Sequence, residues 1–122
     1  MKQLSIIILF FVLATACGRK DKGYMPERLL TEQEMIEVMS DVQIIEADIN
    51  YKKSIEREQG LPHKDYSQLT ASYYDQLFAH YGITDSIFSQ NIRYYTEHPE
   101  VLERIMDSAT NSFLRLRSQL RQ

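Results

Sequence analysis

The chain has 122 residues, of which 43% are hydrophobic and 25% are charged, with 17 acidic side chains against 14 basic ones. Once an N-terminal signal is removed, this length allows one small domain and no more. The formal net charge of −3 argues against a nucleic-acid-binding function, because that function needs a basic face to neutralise phosphates. An aromatic content of 11% is too high for a disordered chain.

The N-terminus has the order of segments found in a bacterial lipoprotein signal. Lys2 precedes an apolar run from Leu4 to Ala14, and small residues then lead directly to Cys17, the only cysteine. This charged, apolar and small-residue order is typical of secretory signals, and a cysteine directly after it is what the lipoprotein form adds. We therefore predict a signal peptide over residues 1–16 and acylation of Cys17 with palmitate-like chains that hold the protein on a membrane.

Two other interpretations of this segment stay open. The apolar run could span a membrane, but it is shorter than the ~20 residues that a bilayer requires. It could also be an ordinary secretory signal, although the single cysteine would then lack an internal disulfide partner.

Residues 17–29 are predicted to form the lipidated cysteine and a flexible tether, followed by a single helical domain over residues 30–122. The stretch from Gly18 to Gly23 is polar and flanked by glycine, as linkers are. By analogy with other lipoproteins, Gly18 in place of an aspartate favours anchoring in the outer membrane. The mainly basic residues that follow favour a periplasm-facing position.

Helical patterning begins at Thr31. Thr31 and Glu34 have the spacing of a capping box, and Leu30 and Met35 have that of a hydrophobic staple. Apolar residues then recur at three- and four-residue intervals, until a Gly-Leu-Pro sequence is predicted to end the helix by Gln59.

Two apolar residues of this helix, Ile36 and Ile44, lie off its main stripe, which indicates that the helix is contacted on two sides. Glu46 and Asp48 lie near the stripe, where they could pair with a basic residue across an interface. We therefore predict Ile36, Ile44, Glu46 and Asp48 as a possible interaction surface.

Three further helices are predicted, over about residues 66–81, from an N-cap at Thr84 to about Thr96, and from Pro99 to the end of the chain. Gly82 is predicted as a left-handed cap and Pro99 as a first helical residue. The fourth helix carries its apolar residues on one face: Leu102, Ile105, Met106, Ala109, Phe113, Leu116 and Leu120. No alternating strand pattern occurs, so the predicted fold class is all-α, a small bundle of about four helices.

Three histidines, His63, His80 and His98, are the candidate metal ligands. None has the His-x3-His or Glu-x-x-His spacing that helical zinc or di-iron sites use. We therefore predict neither a metal nor another cofactor.

An acidic line runs along the first helix through Glu34, Glu37, Asp41 and Asp48. Such a line could collect calcium loosely or perform acid–base chemistry, but a solvated helix face is the preferred interpretation. The sequence has no nucleophile elbow and no phosphate loop, so we expect no enzyme.

Four groups of residues carry a family resemblance: the lipobox at Cys17, Leu30-Thr31-Glu32 with Met35-Ile36, Tyr73-Tyr74 to Tyr81-Gly82-Ile83-Thr84, and Tyr94-Tyr95 with His98-Pro99. Together they resemble a DUF4296-like family of small bacterial outer-membrane lipoproteins, a domain of unknown function. The resemblance extends to about Met106 and implies a lipid-anchored helical domain. It brings no catalytic residues, and only Cys17 is carried over, as the acylation position.

Our first functional hypothesis is a lipid-anchored protein-interaction domain, an accessory subunit of an envelope assembly whose partner protein is unidentified. A domain this small buries little core, so a partner or self-association could complete it.

A chaperone-like holder of unfolded outer-membrane polypeptides is one alternative, because Met35, Met39 and Met106 could form an adaptable groove. A small-ligand binder is the other alternative. It would need a pocket in which tyrosines and acids converge, and Tyr73, Tyr81 and Tyr95 are the candidate tyrosines.

Overall fold

The computed structural model describes residues 23–122. Four helices follow one another in this range: α1 (Glu32–Glu58), α2 (Ser67–Tyr81), α3 (Asp85–Thr96) and α4 (Pro99–Gln119). The described chain contains no strand, so the predicted all-α bundle of about four helices is confirmed. The predicted signal peptide and Cys17 lie outside the described residues. Within 23–122, no helix combines the length and apolar character needed to cross a bilayer.

The start of α1 is fixed by the predicted capping box. The Thr31 hydroxyl accepts a hydrogen bond from the Glu34 N–H at 3.1 Å, and the Glu34 carboxylate accepts one from the Thr31 N–H at 2.7 Å. The backbone hydrogen bond from Thr31 is the main reason why the pKa of Glu34 is lowered. Leu30 and Met35, on either side of the cap, are both buried in the core, as a hydrophobic staple requires.

The ends of α1 and α2 are closed in the same way. Gly60 and Gly82 both have left-handed backbones, with φ of 64° and 63°, which glycine adopts without a steric penalty. The N–H after each glycine reaches back into the last turn, from Leu61 to the Glu56 carbonyl at 2.9 Å and from Ile83 to the Phe78 carbonyl at 3.0 Å. These bonds satisfy free helix carbonyls and turn the chain sharply.

The helix α1 lies at the centre of the bundle and contacts α2 on one side and α4 on the other. The helix α2 runs antiparallel to α1, since Tyr81 hydrogen-bonds Asp41 and Tyr74 hydrogen-bonds Glu46. The helix α4 follows α1 in the same direction. Its residue Arg104 pairs with Glu32 at 3.0 Å, and Thr110 accepts a hydrogen bond from Gln43 at 3.2 Å.

The core forms where the first half of α1 meets α4, α3 and the junction between α2 and α3. Aromatic rings fill much of it, and the rings of Phe78 and Phe88 have centroids 5.3 Å apart. The buried members of this cluster are Leu30, Met35, Val38, Leu77, Phe78, Ile83, Tyr95 and Ile105.

One polar side chain lies at the centre of this core. Asn91 of α3 is fully buried, and its amide oxygen accepts a hydrogen bond from the Leu30 N–H at 2.8 Å. Its amide nitrogen donates to the carbonyls of Arg28 and Ile87, also at 2.8 Å. The Tyr95 hydroxyl donates to the Leu30 carbonyl at 2.5 Å. Both backbone polar groups of Leu30 are therefore satisfied by side chains of α3.

The segment before Leu30 continues along α3. The Tyr24 N–H donates to the Glu97 carboxylate at 3.1 Å, and the Arg93 guanidinium lies 4.0 Å from the centre of the Tyr24 ring. Pro26 is buried. The packed body thus begins near Tyr24, earlier than the predicted boundary at residue 30. The packing of residues 24–29 could not be predicted from the sequence, because their hydrogen-bond partners lie about 60 to 70 residues further along the chain.

We expect Asn91→Ala to lower the free energy of unfolding by about 2–4 kcal/mol, because the buried Leu30 N–H and Arg28 carbonyl lose their partner. Urea denaturation followed by circular dichroism measures this change. Asn111→Ala removes the same side chain from an exposed position of α4 and should change stability by less than about 0.5 kcal/mol. Equal losses in the two variants would contradict the role given to Asn91.

Candidate functional site

The four residues of the predicted interaction surface do not all lie together in the structure. Ile36 is half-buried and packs against the core, and Glu46 accepts a hydrogen bond from the Tyr74 hydroxyl at 2.8 Å. Ile44 and Asp48 line the same concavity between α1 and α2. The structure therefore brings Ile44 and Asp48 together, while Ile36 and Glu46 lie outside that concavity.

That concavity, the α1–α2 basin, has a volume of about 380 Å³ and is open to solvent. Ile44, Ile45 and Leu77 form apolar walls, and polar groups come from Asp41, Asp48, Tyr73 and His80. The volume falls within the range of small-molecule pockets. The basin brings Tyr73 together with the carboxylates of Asp41 and Asp48. A pocket in which a tyrosine and acids converge is what the small-ligand alternative requires.

The carboxylates of the basin are already bonded within the chain. Asp41 accepts a hydrogen bond from the Tyr81 hydroxyl at 2.6 Å. Asp48 forms an ion pair and hydrogen bond with Lys52, which lowers the pKa of Asp48 and raises that of Lys52. The Lys52 ammonium also lies 5.7 Å from the centre of the Tyr73 ring. Asp41 therefore joins α1 to α2, while Asp48 is paired within α1.

The same contact repeats along the length of α2. The hydroxyls of Tyr81, Tyr74 and Tyr66 donate to Asp41, Glu46 and Glu56 of α1 respectively. We call this series the tyrosine–carboxylate ladder. Burial is the main reason why the pKa of Tyr81 is raised and why that of Tyr74 is raised to about 12. The adjacent carboxylate adds to both shifts, because it repels the phenolate.

A second concavity, the α1–α4 groove, lies where the later turns of α1 and α4 run beside each other. Its volume is about 340 Å³, and one charged residue, Arg117, contributes to its lining. The other lining residues are apolar or aromatic: Ile44, Ala47, Tyr51, Phe113, Leu116 and Leu120. Of these, Tyr51 is 65% exposed, Leu116 40% and Leu120 80%. Exposed apolar surface concentrated in one concavity is typical of an interaction site.

The groove stays open because the core ends before the helices do. The last buried residue of α1 is Ile49 and that of α4 is Ala109, while α3 and the residue 24–30 segment cover only the earlier turns. The apolar face predicted for α4 is present, and within residues 23–122 no third element covers its last two turns, where Leu116 and Leu120 are exposed beside α1. Sequence periodicity identified that face and missed Tyr51, which lies opposite it.

Metal chemistry has little support in the described residues. No group of three histidine, cysteine, aspartate or glutamate side chains is arranged to hold a metal ion within residues 23–122. His98 lies at the α3–α4 boundary, with its Nδ1 2.8 Å from the Tyr94 carbonyl and its ring stacked on Tyr94. His80 packs edge-on against Tyr81, and His63 is exposed in a loop.

Alkaline pH should weaken the tyrosine–carboxylate ladder. The pKa of Tyr74 is raised from 10.0 to about 12 in the folded protein, so the folded state holds the phenol proton more tightly than the unfolded state. Its contribution to stability is present below about pH 10 and is lost as the pH rises towards about 12. The difference in unfolding free energy between the wild type and Tyr74→Phe should be constant up to about pH 10 and should then decrease.

Urea unfolding at a series of pH values measures that difference, and the tyrosinate absorbance reports the titration directly. Tyr51→Phe is the matched control, because it removes an exposed phenol. The same pH dependence in both variants would contradict the role assigned to Tyr74.

Comparison with known proteins gives one finding. A family model described as a domain of unknown function (DUF4296) matches residues 26–119. Searches of curated proteins and of solved structures gave no match. The matched range begins within the segment that packs on α3 and ends with the last residue of α4, so it covers the core, the basin and, apart from Leu120, the groove. The chain belongs to the DUF4296 family of domains of unknown function.

Proposed function

We propose that this chain is a lipid-anchored envelope lipoprotein whose helical domain binds another protein, as an accessory subunit of an envelope assembly. The observation that carries the proposal is the α1–α4 groove. Burying Tyr51, Leu116 and Leu120 would remove apolar surface from water, which is favourable by about 25 cal/mol per Å². A protein surface can cover a groove that is open along two helices.

The position of the groove suits a domain held by its N-terminus. Tyr24 is bonded to Glu97, immediately before α4 begins. The 21 residues of α4 span about 30 Å, at 1.5 Å per residue, and the groove lies along its later turns. The six residue steps from Cys17 to Gly23 extend at most about 20 Å. A Cys17 anchor would therefore lie at one end of the domain and the groove towards the other.

The proposed domain acts by binding and not by catalysis. The carboxylates and tyrosine hydroxyls between α1 and α2 are engaged with each other in the ladder, where they stabilise the helix pair. The same engagement weakens the small-ligand alternative. A ligand in the α1–α2 basin would have to compete with Tyr81 for Asp41 and with Lys52 for Asp48.

The chaperone-like alternative has weaker support. Of the three methionines on which it is based, Met35 is completely buried and Met39 is packed against the core, while Met106 is 37% exposed. A holder function would have to use the α1–α4 groove itself.

Membrane anchoring through Cys17 predicts a clear change in fractionation. Cys17→Ala should abolish incorporation of a labelled fatty acid and move the protein out of the membrane fraction, because the acyl chains supply the membrane affinity. Gly23→Ala is the control, since a methyl group there would have no heavy atom within 4 Å, and it should stay labelled. Labelling of Cys17→Ala would contradict the anchor.

Protein binding through the groove predicts site-specific cross-linking in living cells. A photoreactive benzophenone amino acid in place of Tyr51, in the full chain, should trap one or two discrete proteins. The same amino acid in place of Ser86, exposed on α3 and outside both concavities, should trap neither.

A broad set of outer-membrane polypeptides at Tyr51 would favour the chaperone-like alternative and contradict an assembly subunit. Absence of any protein trapped at Tyr51 above the Ser86 background would contradict both.

A further inference from the structure

The end of α4 beside the groove carries positive charge. The chain has no acidic residue after Asp107, while Arg115, Arg117 and Arg121 follow it. Of these, Arg117 lines the groove and Arg121 follows the lining residue Leu120. In the described chain the ion pairs join Arg28 to Glu34, Lys52 to Asp48 and Arg104 to Glu32, so none of the three late arginines is paired there. A helix C-terminus favours cations through its dipole, but the dipole gives no reason for the exposed leucines beside them.

Within the described residues, no acidic side chain lines the groove. The two acids next to Ala47 in sequence make their contacts elsewhere: Glu46 accepts a hydrogen bond from Tyr74 of α2, and Asp48 is paired with Lys52 within α1. The groove consequently has an apolar floor with cationic character from α4.

The groove also has the length and form of a helix-binding site. The residues that line it run from Ile44 to Tyr51 on α1 and from Phe113 to Leu120 on α4. Each run covers seven residue steps, about 10 Å or two helical turns. An amphipathic helix with apolar residues at positions i, i+3 or i+4, and i+7 presents a stripe of that length.

From these observations, and resting on the proposed function, we infer that the α1–α4 groove binds an acidic amphipathic helix of a partner protein. The apolar stripe of that helix would contact Leu116, Leu120 and Tyr51, and its flanking aspartate or glutamate residues would pair with Arg117 and Arg121. The carboxylate–guanidinium pairs would set the orientation of the bound helix.

Two other occupants fit less well. A second copy of this chain would offer the acids of α1, of which Glu46, Asp48 and Glu56 are already bonded within their own chain. Leucines and arginines on a helix also suit an anionic membrane surface, but the N-terminal segment leaves the domain beside Glu97, at the opposite end of α4 from Leu120.

The test uses the full chain in its host, with the benzophenone amino acid in place of Tyr51, and sequences the trapped peptide by mass spectrometry. The expected peptide has a helical apolar stripe flanked by acidic residues. Arg117→Glu should reduce the cross-linking yield roughly tenfold, because it puts like charges together at the groove. Arg115→Glu changes the net charge equally but lies on a different concavity, beside Glu37 and Asp41, and should change the yield less than twofold.

Lysines in place of the flanking acids of the trapped peptide should restore cross-linking to the Arg117→Glu variant. A discrete partner that is trapped through a basic or non-helical segment would overturn this inference and leave the proposed function standing. A trapped second copy of this chain or trapped lipid would overturn it as well. If Tyr51 traps no protein, both the inference and the proposed function fail.

Discussion

The hydrogen bonds of Asn91 determine how the rest of the bundle is assembled. This buried amide binds the backbone of Arg28 and Leu30, directly before the cap of α1, and so fixes the first turn of α1 against α3. Tyr95 completes the contact through the Leu30 carbonyl. Buried polar groups that are fully satisfied specify one arrangement, because every alternative leaves a donor or an acceptor unpaired. The N-terminal segment is therefore joined to α3.

The tyrosine–carboxylate ladder explains two features of the composition at once. Tyrosine is common in this chain, and acids recur along α1. In the folded protein the two sets meet, since Tyr74 and Tyr81 place their rings against apolar neighbours and their hydroxyls on Glu46 and Asp41. Tyrosine suits this position because it has an apolar body and a polar tip. The ladder also directs these acids towards α2, and within the described residues no acid lines the groove between α1 and α4.

Local rules predicted the helix ends correctly, because each depends on a few neighbouring residues. The predicted helix ends are confirmed at four places: the capping box of Thr31 and Glu34, the left-handed cap at Gly82, the N-cap at Thr84 and the first helical residue Pro99. The role of Asn91 could not be predicted, since a single asparagine within an amphipathic helix is ordinary and its partners are about 60 residues away. The sequence indicated only the α4 side of the groove. Periodicity predicts the apolar face of α4, but it does not predict how far along α4 the neighbouring elements pack.

Fold stability gives no reason for the exposed leucines at the end of α4. Leu120 is 80% exposed, so a polar residue there would lose little burial energy. A short helix end gains stability mainly from tertiary packing, and the core ends at Ala109. The helix nevertheless continues to Gln119 with leucines towards α1 and arginines at its end. The intermolecular contact that we propose would account for both the leucines and the arginines, because it would cover the open side of the groove.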